Sequence, residues 1–455
     1  MLEQRSAPGG RAAQLRDSGF TWDKGPSLIT MPWVLEDAFA AGGLDLHSEV
    51  TLHRLDPMYR IRWAGEERTF DFGDSVDALR EEIARFDARD AAALDGFLAA
   101  LKPIYDEGLV GAGSRPFTDL QSFLALVPSM ARLRAVLPLH RFVARHFRNE
   151  RVREAFSFHS LFIGGDPYRV PAIYAALVYL QIQDGGWYTD GGVYSLVEAM
   201  ARPLDVRCDA RVESVETGAD GVRAVWLEGG ERIAADVVVS NADVLRTHEL
   251  LGRRAPVRRL RPTMSCFLLY LGCDRRFDEL LHHTLLVGHG YRDFIADVTR
   301  RGRLAKTFST YVHAPARTEA AMATPGGDSL AVLLPVPNLR GDVDWDRAAD
   351  GLRDALVRDM EQTFGLTGLD ASVCVEHRMA PPDFARDLGA VDGNAFAVEP
   401  TLHQSAYFRA PNRVAGVPGF YHVGGGTHPG AGIPGVLMGA AVTAGLIEAD
   451  AGVRV

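Results

Sequence analysis

The stretch that most constrains this chain lies near its end. Phe420-Tyr-His-Val423 is a short apolar run with strand character. Glycines at 424, 425, 426, 430, 432 and 435 follow, and Val436 to Glu448 is a run of small and apolar residues suited to a buried helix. Pro434 falls where a first-turn proline is tolerated, because that N–H has no helical partner. A turn poor in side chains lets a ligand approach the backbone, and the free N–H groups and dipole of a helix start favour an anion. Gly430-Ala-Gly-Ile-Pro-Gly435 matches G-x-G-x-x-G, but only 20 residues follow it. That is too few for the helix, second strand and ribose-binding acid of a dinucleotide unit. The stretch therefore predicts a ligand site at a helix terminus, not the opening of a βαβ unit.

Composition narrows the function. With 49 basic and 59 acidic residues the net charge is −10, which argues against nucleic-acid binding. Cys208, Cys266, Cys273 and Cys374 form no C-x-x-C pair, which fits neither a disulfide framework nor a zinc site and suits a reducing cytoplasm. His282-His283 and the other histidines show no metal spacing, so no metal is expected. No apolar run approaches the length of a membrane-spanning helix, and Met1-Leu-Glu-Gln-Arg5 carries no signal-peptide apolar region. No G-x-S-x-G elbow is present, which disfavours a hydrolase.

Taken in order, Met1 to Arg5 has the look of a strand tail. Glu3 is either an exposed terminal glutamate or the strand-end acid that holds ribose hydroxyls. Arg5 and Arg11 flank a Pro8-Gly-Gly turn where backbone and guanidinium can meet phosphate. Met31 to Ala41 is predicted helical with Thr30 as N-cap, and 51–55, 59–63 and 68–72 suggest a small sheet. Between Arg132 and Arg153 seven arginines and one acid, Glu150, alternate with apolar residues. That pattern suits either a helix lying on an anionic membrane surface or a core helix with a solvated arginine face. Strands over 267–271, 284–287, 307–313 and 329–335 predict a second, largely antiparallel sheet. Residues 345–363 predict a helix, and 381–386 a loop.

Several words in this order carry a family resemblance: Leu2-Glu-Gln-Arg5 with Pro8-Gly-Gly-Arg11, Gly25-Pro-Ser-Leu-Ile-Thr30, Ala155-Phe-Ser-Phe-His-Ser160 with Gly164-Gly165, Ser240-Asn-Ala-Asp243, Val398-Glu-Pro400 and Gly426 to Val436. Together they resemble the bacterial-type phytoene desaturases, flavin-dependent carotenoid desaturases with an amine-oxidase-like fold. The resemblance implies an α/β (α+β mixed) fold. An FAD-binding Rossmann-like domain (1–75, 184–250 and 395–455) would be interleaved with a substrate domain (76–183 and 251–394). The substrate domain would hold the antiparallel sheet and a helical membrane-facing region.

The implied activity is FAD-dependent desaturation of a long isoprenoid hydrocarbon, phytoene to lycopene or an intermediate. The alternatives are a related desaturase or isomerase acting on another carotene, or a non-catalytic carotenoid-binding fragment without flavin. By carry-over Glu3 would bind the adenosine ribose, and Arg5, Gly10 and Arg11 would lie along the pyrophosphate and ribityl part. Gly25, Pro26 and Ser27 would lie near the isoalloxazine, with Val212, Asn241 and Ala242 on the adenine side. Gly426, Thr427, Ile433, Pro434, Gly435 and Val436 would hold the flavin from the C-terminal side. His159, Glu399 and His428 are candidates for substrate contact or proton transfer, each also suited to a structural role. Implied partners are a hydrophobic carotenoid, a membrane surface met peripherally through 132–153 by a cytoplasmic protein, and quinone or oxygen as electron acceptor. There is room for a homo-oligomer.

The sequence departs from the family pattern twice. Family members have a strand and a G-x-G-x-x-G loop before the Glu3 position, and neither stands here, which predicts a truncated chain with weak or no FAD binding. The helix after Gly192 ends early, at Arg202-Pro203, which would loosen the Val212 strand.

Overall fold

The computed structural model describes residues 1–117, 120–253 and 260–452. Its frame is a seven-stranded mixed sheet in the order Val373–Met379, Ser265–Cys273, Asp328–Val336, Ser309–His313, His283–Val287, Tyr59–Trp63, Thr69–Phe72. Every neighbouring pair is antiparallel except His283–Val287 with Tyr59–Trp63. Ser265–Cys273 is buried along its whole length and Asp328–Val336 nearly so, as expected of central strands covered on both faces. Their apolar pairs, Phe267 with Leu334 and Leu269 with Val332, set the register. The edge strand Val373–Met379 alternates part-buried and exposed residues instead.

Helices Val76–Phe86, Ala88–Pro103 and Trp345–Phe364 share one large core with this sheet. In the last of them Trp345, Ala349, Leu352, Leu356, Val357, Met360 and Phe364 fall on one buried stripe at helical period. The first two are one predicted helical run from Asp74 to Ala100, divided at Asp87, whose carboxylate caps the second helix by accepting from the Arg89 N–H at 2.8 Å.

Smaller pieces of sheet make up the rest. Val212–Gly218, Gly221–Leu227 and Arg232–Ala234 form an antiparallel three-stranded sheet. Val238–Ser240 pairs in parallel with Phe420–His422, and Leu2 bridges in parallel to Arg207. The chain therefore has a mixed α/β architecture whose sheets are assembled from distant segments.

Several expectations change. From sequence, 51–72 makes one small sheet on the cofactor side. In the structure Tyr59–Trp63 and Thr69–Phe72 close the seven-stranded sheet, while Leu52–Leu55 pairs with Gly186–Thr189. Pairing partners more than a hundred residues away leave no local mark. Thr30 does not cap its helix; Met31, at φ 52°, turns the chain into Pro32–Ala41 and proline begins the helix. Residues 381–386 are helical, within Pro381–Leu388. Pro381 stands where no N–H bond is needed, and the Asp383 carboxylate accepts from the Ala380 N–H at 2.8 Å.

The arginine-rich region is a set of short helices, among them Leu139–Val143 and Glu150–Ala155. Leu139, Phe142, Val143 and Phe147 belong to the large core and are not free to meet a membrane. The final helix runs Ile433–Asp450, three residues earlier than predicted, and only one side of it is buried, through Met438, Val442 and Leu446. It is also long and apolar enough to cross a bilayer by length and composition, contrary to the sequence expectation. Its buried side packs on Tyr421 and the fold's own core, and the rest of it is not buried.

Candidate cofactor site

The parallel strands Val238–Ser240 and Phe420–His422 both run into loops at their carboxyl ends, where open parallel sheets bind ligands. The two loops touch. A Cβ on Gly424 would lie 2.3 Å from Asn241 Oδ1, and Gly424 has φ 105°, so only glycine fits there. A Cβ on Gly426 would meet Val244 at 2.7 Å, and one on Gly435 would meet the Gly430 carbonyl at 2.8 Å. These glycines are required chiefly so that the loop can fold onto itself and its neighbour. Thr427 is fully buried, and its Oγ1 donates to Gly424 O at 2.8 Å. The loop delivers the start of Ile433–Asp450, where Ile433, Pro434, Gly435 and Val436 are half-buried and present the positive end of a long helix.

The N-terminal words are held by residues near 207 and 394. The Glu3 N–H donates to Arg207 O at 2.9 Å, and its carboxylate accepts from the Arg5 N–H at 2.9 Å. Arg5 Nη1 donates to Gly10 O at 3.2 Å. Arg5 lines a solvent-open cleft with Gln4, Arg207 and Arg211. Arg11 points inward: its Nε donates to Ala395 O at 2.9 Å and its Nη2 to Asn394 Oδ1 at 3.1 Å. Burial lowers its pKa from the ordinary guanidinium value, and Asp243 offsets part of that. Asn394 Nδ2 in turn donates to Asp243 Oδ2 at 2.8 Å, while Asp243 Oδ1 caps Val244–Leu250 by accepting from the Leu245 N–H at 3.0 Å. Residues 11, 243 and 394 are thus tied into one buried polar network.

A Cβ on Gly25 would lie 2.1 Å from Arg11 O, so this glycine is what lets its loop pass the Arg11 backbone. Ser27 is buried with Oγ 2.6 Å from Tyr311 Oη, which joins the loop to the seven-stranded sheet. Val212 begins its strand opposite Leu227, and the strand is intact despite the short preceding helix Tyr194–Ala201. Ala242 is exposed beside Asn241.

Arg409 is the feature that sequence reasoning missed. It is only 4% exposed, its Nη2 donates to Gly425 O at 2.5 Å, and its Nε has no partner. Among the described residues no carboxylate pairs with it. A buried guanidinium without a counter-ion is costly, and burial lowers its pKa. It lies against the glycine loop, 3.6 Å from a Cβ built on Gly430. A negatively charged group at the loop would complete it. No local sequence signal marks this arginine, because its meaning depends on which loop it is packed under.

The three proton-transfer candidates are not brought together. His159 is fully buried among aromatic rings, with Nε2 2.7 Å from Tyr59 Oη. Burial depresses its pKa to about 3. His428 donates through Nε2 to Ala112 O at 2.9 Å, which leaves Nδ1 as its bare, buried nitrogen. Burial takes its pKa to about 4. Glu399 lines a narrow pocket with Gly164, Gly165, Asp166 and Arg169; its Oε2 is buried without a partner and burial raises its pKa.

The family model for flavin containing amine oxidoreductases matches residues 1–451. The chain belongs to that family. It is 38% identical to the lycopene-forming phytoene desaturase of Pantoea ananas and 37% identical to that of Pseudescherichia vulneris; each comparison covers 99% of this chain and 94% of the relative. A triple mutant of putrescine oxidase, redesigned in its cofactor binding, shares the fold. Its TM-score is 0.65 at 12% identity, over 100% of this chain and 93% of that one.

This flavin oxidoreductase is an FAD-dependent enzyme, and the residues present fit the group. The start of Ile433–Asp450 and the uncompensated Arg409 both favour negative charge, which a pyrophosphate carries and a reduced flavin ring develops.

Proposed function

We propose that this chain desaturates phytoene to lycopene. The resemblance to two lycopene-forming desaturases along 99% of the chain is the observation that carries the reading. Each desaturation turns a CH2–CH2 unit into CH=CH by loss of a hydride and a proton. FAD, when bound, supplies the two-electron acceptor. The loop residues Gly426, Thr427 and Ile433 to Val436 hold the cofactor from one side. Arg5, Gly10, Arg11 and Gly25 to Ser27 hold it from the other, with Glu3, Val212, Asn241 and Ala242 towards its adenosine end. Arg409 and the helix start stabilise negative charge. The proton passes to Glu399 or to His428, each of which keeps an unpartnered buried acceptor atom. His159 is a structural residue, since its neutral ring is sealed behind Tyr59 and Phe72.

A hydrocarbon drawn from lipid gains little from burial, because the bilayer is already apolar, so the enzyme must work at the membrane surface. The docking face we propose is Leu120, Leu124, Val127, Val136, Leu402 and Phe408, each at least 40% exposed. Phe123 links the first of these to Phe408, ring to ring at 5.1 Å. Exposed Arg134, Arg141 and Arg145 supply cations for anionic headgroups.

The decisive experiment incubates the full chain with FAD and phytoene-loaded anionic liposomes. Flavin content is read by absorbance and products by chromatography. Flavin near one per chain with phytoene converted to lycopene is the expected result. A flavin-loaded protein that leaves phytoene untouched would overturn the substrate. Leu124→Ser with Phe408→Ser should lower liposome binding; unchanged binding would remove the docking face and leave the chemistry standing.

A further inference from the structure

We propose that His282, His283 and His313 form a buried site for one divalent transition-metal cation of the zinc class. Adjacency of His282 and His283 alone gives no metal spacing. The fold adds His313, which faces His283 across the antiparallel pair His283–Val287 and Ser309–His313. All three rings are buried. One ligand nitrogen from each lies within 4.8 Å of the others. His282 Nε2 and His313 Nε2 are 3.1 Å apart. Two imidazoles on one tetrahedral zinc, each bonded at roughly 2.0–2.1 Å, would have nitrogens roughly 3.4 Å apart.

Two of the three outer nitrogens have hydrogen-bond partners, while His313 Nδ1 is buried without one. His282 Nδ1 is 2.6 Å from Thr318 Oγ1, and His283 Nδ1 is 2.6 Å from Tyr311 Oη. Where each hydroxyl accepts, these bonds set the tautomer and leave the Nε2 lone pairs of His282 and His283 for a cation. His283 Nε2 is buried with no hydrogen-bond partner, which a plain polar cluster leaves unexplained. A carboxylate stands one layer out: the Tyr188 ring packs on His282 at 4.6 Å, and its hydroxyl donates to Glu319 Oε2 at 2.7 Å. Imidazole ligands select zinc, cobalt, nickel or copper over magnesium or calcium. A cation here would pin the sheet to Tyr311 and, through it, to Ser27 in the cofactor loop.

The test uses the full-length flavoprotein, purified without a histidine tag, stripped with a chelator and titrated with Zn2+ and, separately, Co2+. Wild type should hold about one zinc per chain. It should also give the visible spectrum of tetrahedral cobalt and melt at a higher temperature with zinc than with chelator. His283→Asn and His313→Asn should abolish the cobalt spectrum. Tyr311→Phe, which keeps every ligand, should weaken binding roughly 10–100-fold. His47→Ala with His53→Ala, both ordinary surface histidines, should change nothing. If an Asn variant fails to fold, wild type and Tyr311→Phe still decide. Wild type that shows no tetrahedral cobalt spectrum, or a Tyr311→Phe variant with undiminished affinity, overturns the site.

Discussion

The seven-stranded sheet and the cofactor loops are held together by different physics. In the sheet, Ser265–Cys273 and Asp328–Val336 run side by side as continuous apolar strands, and large helices close over them. At the cofactor side the paired strands are three residues long, Val238–Ser240 with Phe420–His422. Small apolar clusters, close backbone approaches at glycines and the Arg11–Asn394–Asp243 bonds hold that side together. The sheet derives its stability from area removed from water. The loops are stabilised by a few directional contacts, and they leave Arg409 uncompensated until something negative arrives. Mutations in the first region should therefore change stability with or without flavin, and mutations in the second should register most in flavin affinity.

The largest effect is expected in the sheet. Phe267→Ala, at a fully buried position opposite Leu334, should cost about 3–5 kcal/mol in urea melts, equally in flavin-loaded and flavin-stripped protein. A loss seen only in the loaded protein would erase the contrast. Gly25→Ala is the mirror case. Its Cβ would lie 2.1 Å from Arg11 O, and the forced shift should cost about 1–3 kcal/mol, read mainly as a roughly tenfold or greater rise in the dissociation constant for FAD.

Acid should act next. His159 titrates near 3 in the fold, while an unfolded histidine titrates near the ordinary value of about 6.5. Its contribution is complete above that value. It is lost as pH falls, because the unfolded chain takes up a proton that the native ring refuses. His159→Leu should flatten the decline in stability by up to about 1.4 kcal/mol per pH unit, or about 2 kcal/mol by pH 5. An unchanged slope would mean that the ring is reached by water. The smallest effect is Thr427→Val, which removes the hydroxyl bond to Gly424 O at 2.8 Å. About 0.5–1.5 kcal/mol is expected, seen in flavin release and scarcely in global melting.

How legible each region was from sequence follows the same division. A continuous apolar run and a period-3.6 apolar pattern mark the strand 328–336 and the helix from Trp345 within a residue or two, because burial there is written into consecutive side chains. The helix Pro381–Leu388 was hidden by its own prolines, which in that position begin a helix and do not break it. The glycine-rich stretch was recognisable as a strand, turn and helix. Two of its glycines, however, prove to be spacers for Asn241 and Val244 more than openings for a ligand. The alternation of arginine and apolar residues over 132–153 suggested a membrane helix, yet the apolar members face the core and the exposed apolar side chains lie mainly outside it, at 120–127 and 402–408.

By itself the sequence determined the family and the cofactor, and it singled out the two sets of words proposed to hold the flavin. Those depend on residue types at fixed local spacing, such as glycines before a helix start. Only the tertiary structure decided which residues meet. It joined Tyr59–Trp63 to a strand more than two hundred residues later and set Asn394 between Arg11 and Asp243. It buried Arg409 beneath the glycine loop without a counter-ion, and it brought His313 to His282 and His283. Pairing across such distances follows from the burial of the whole sheet and from the exclusion of water, and no short stretch of chain carries that information.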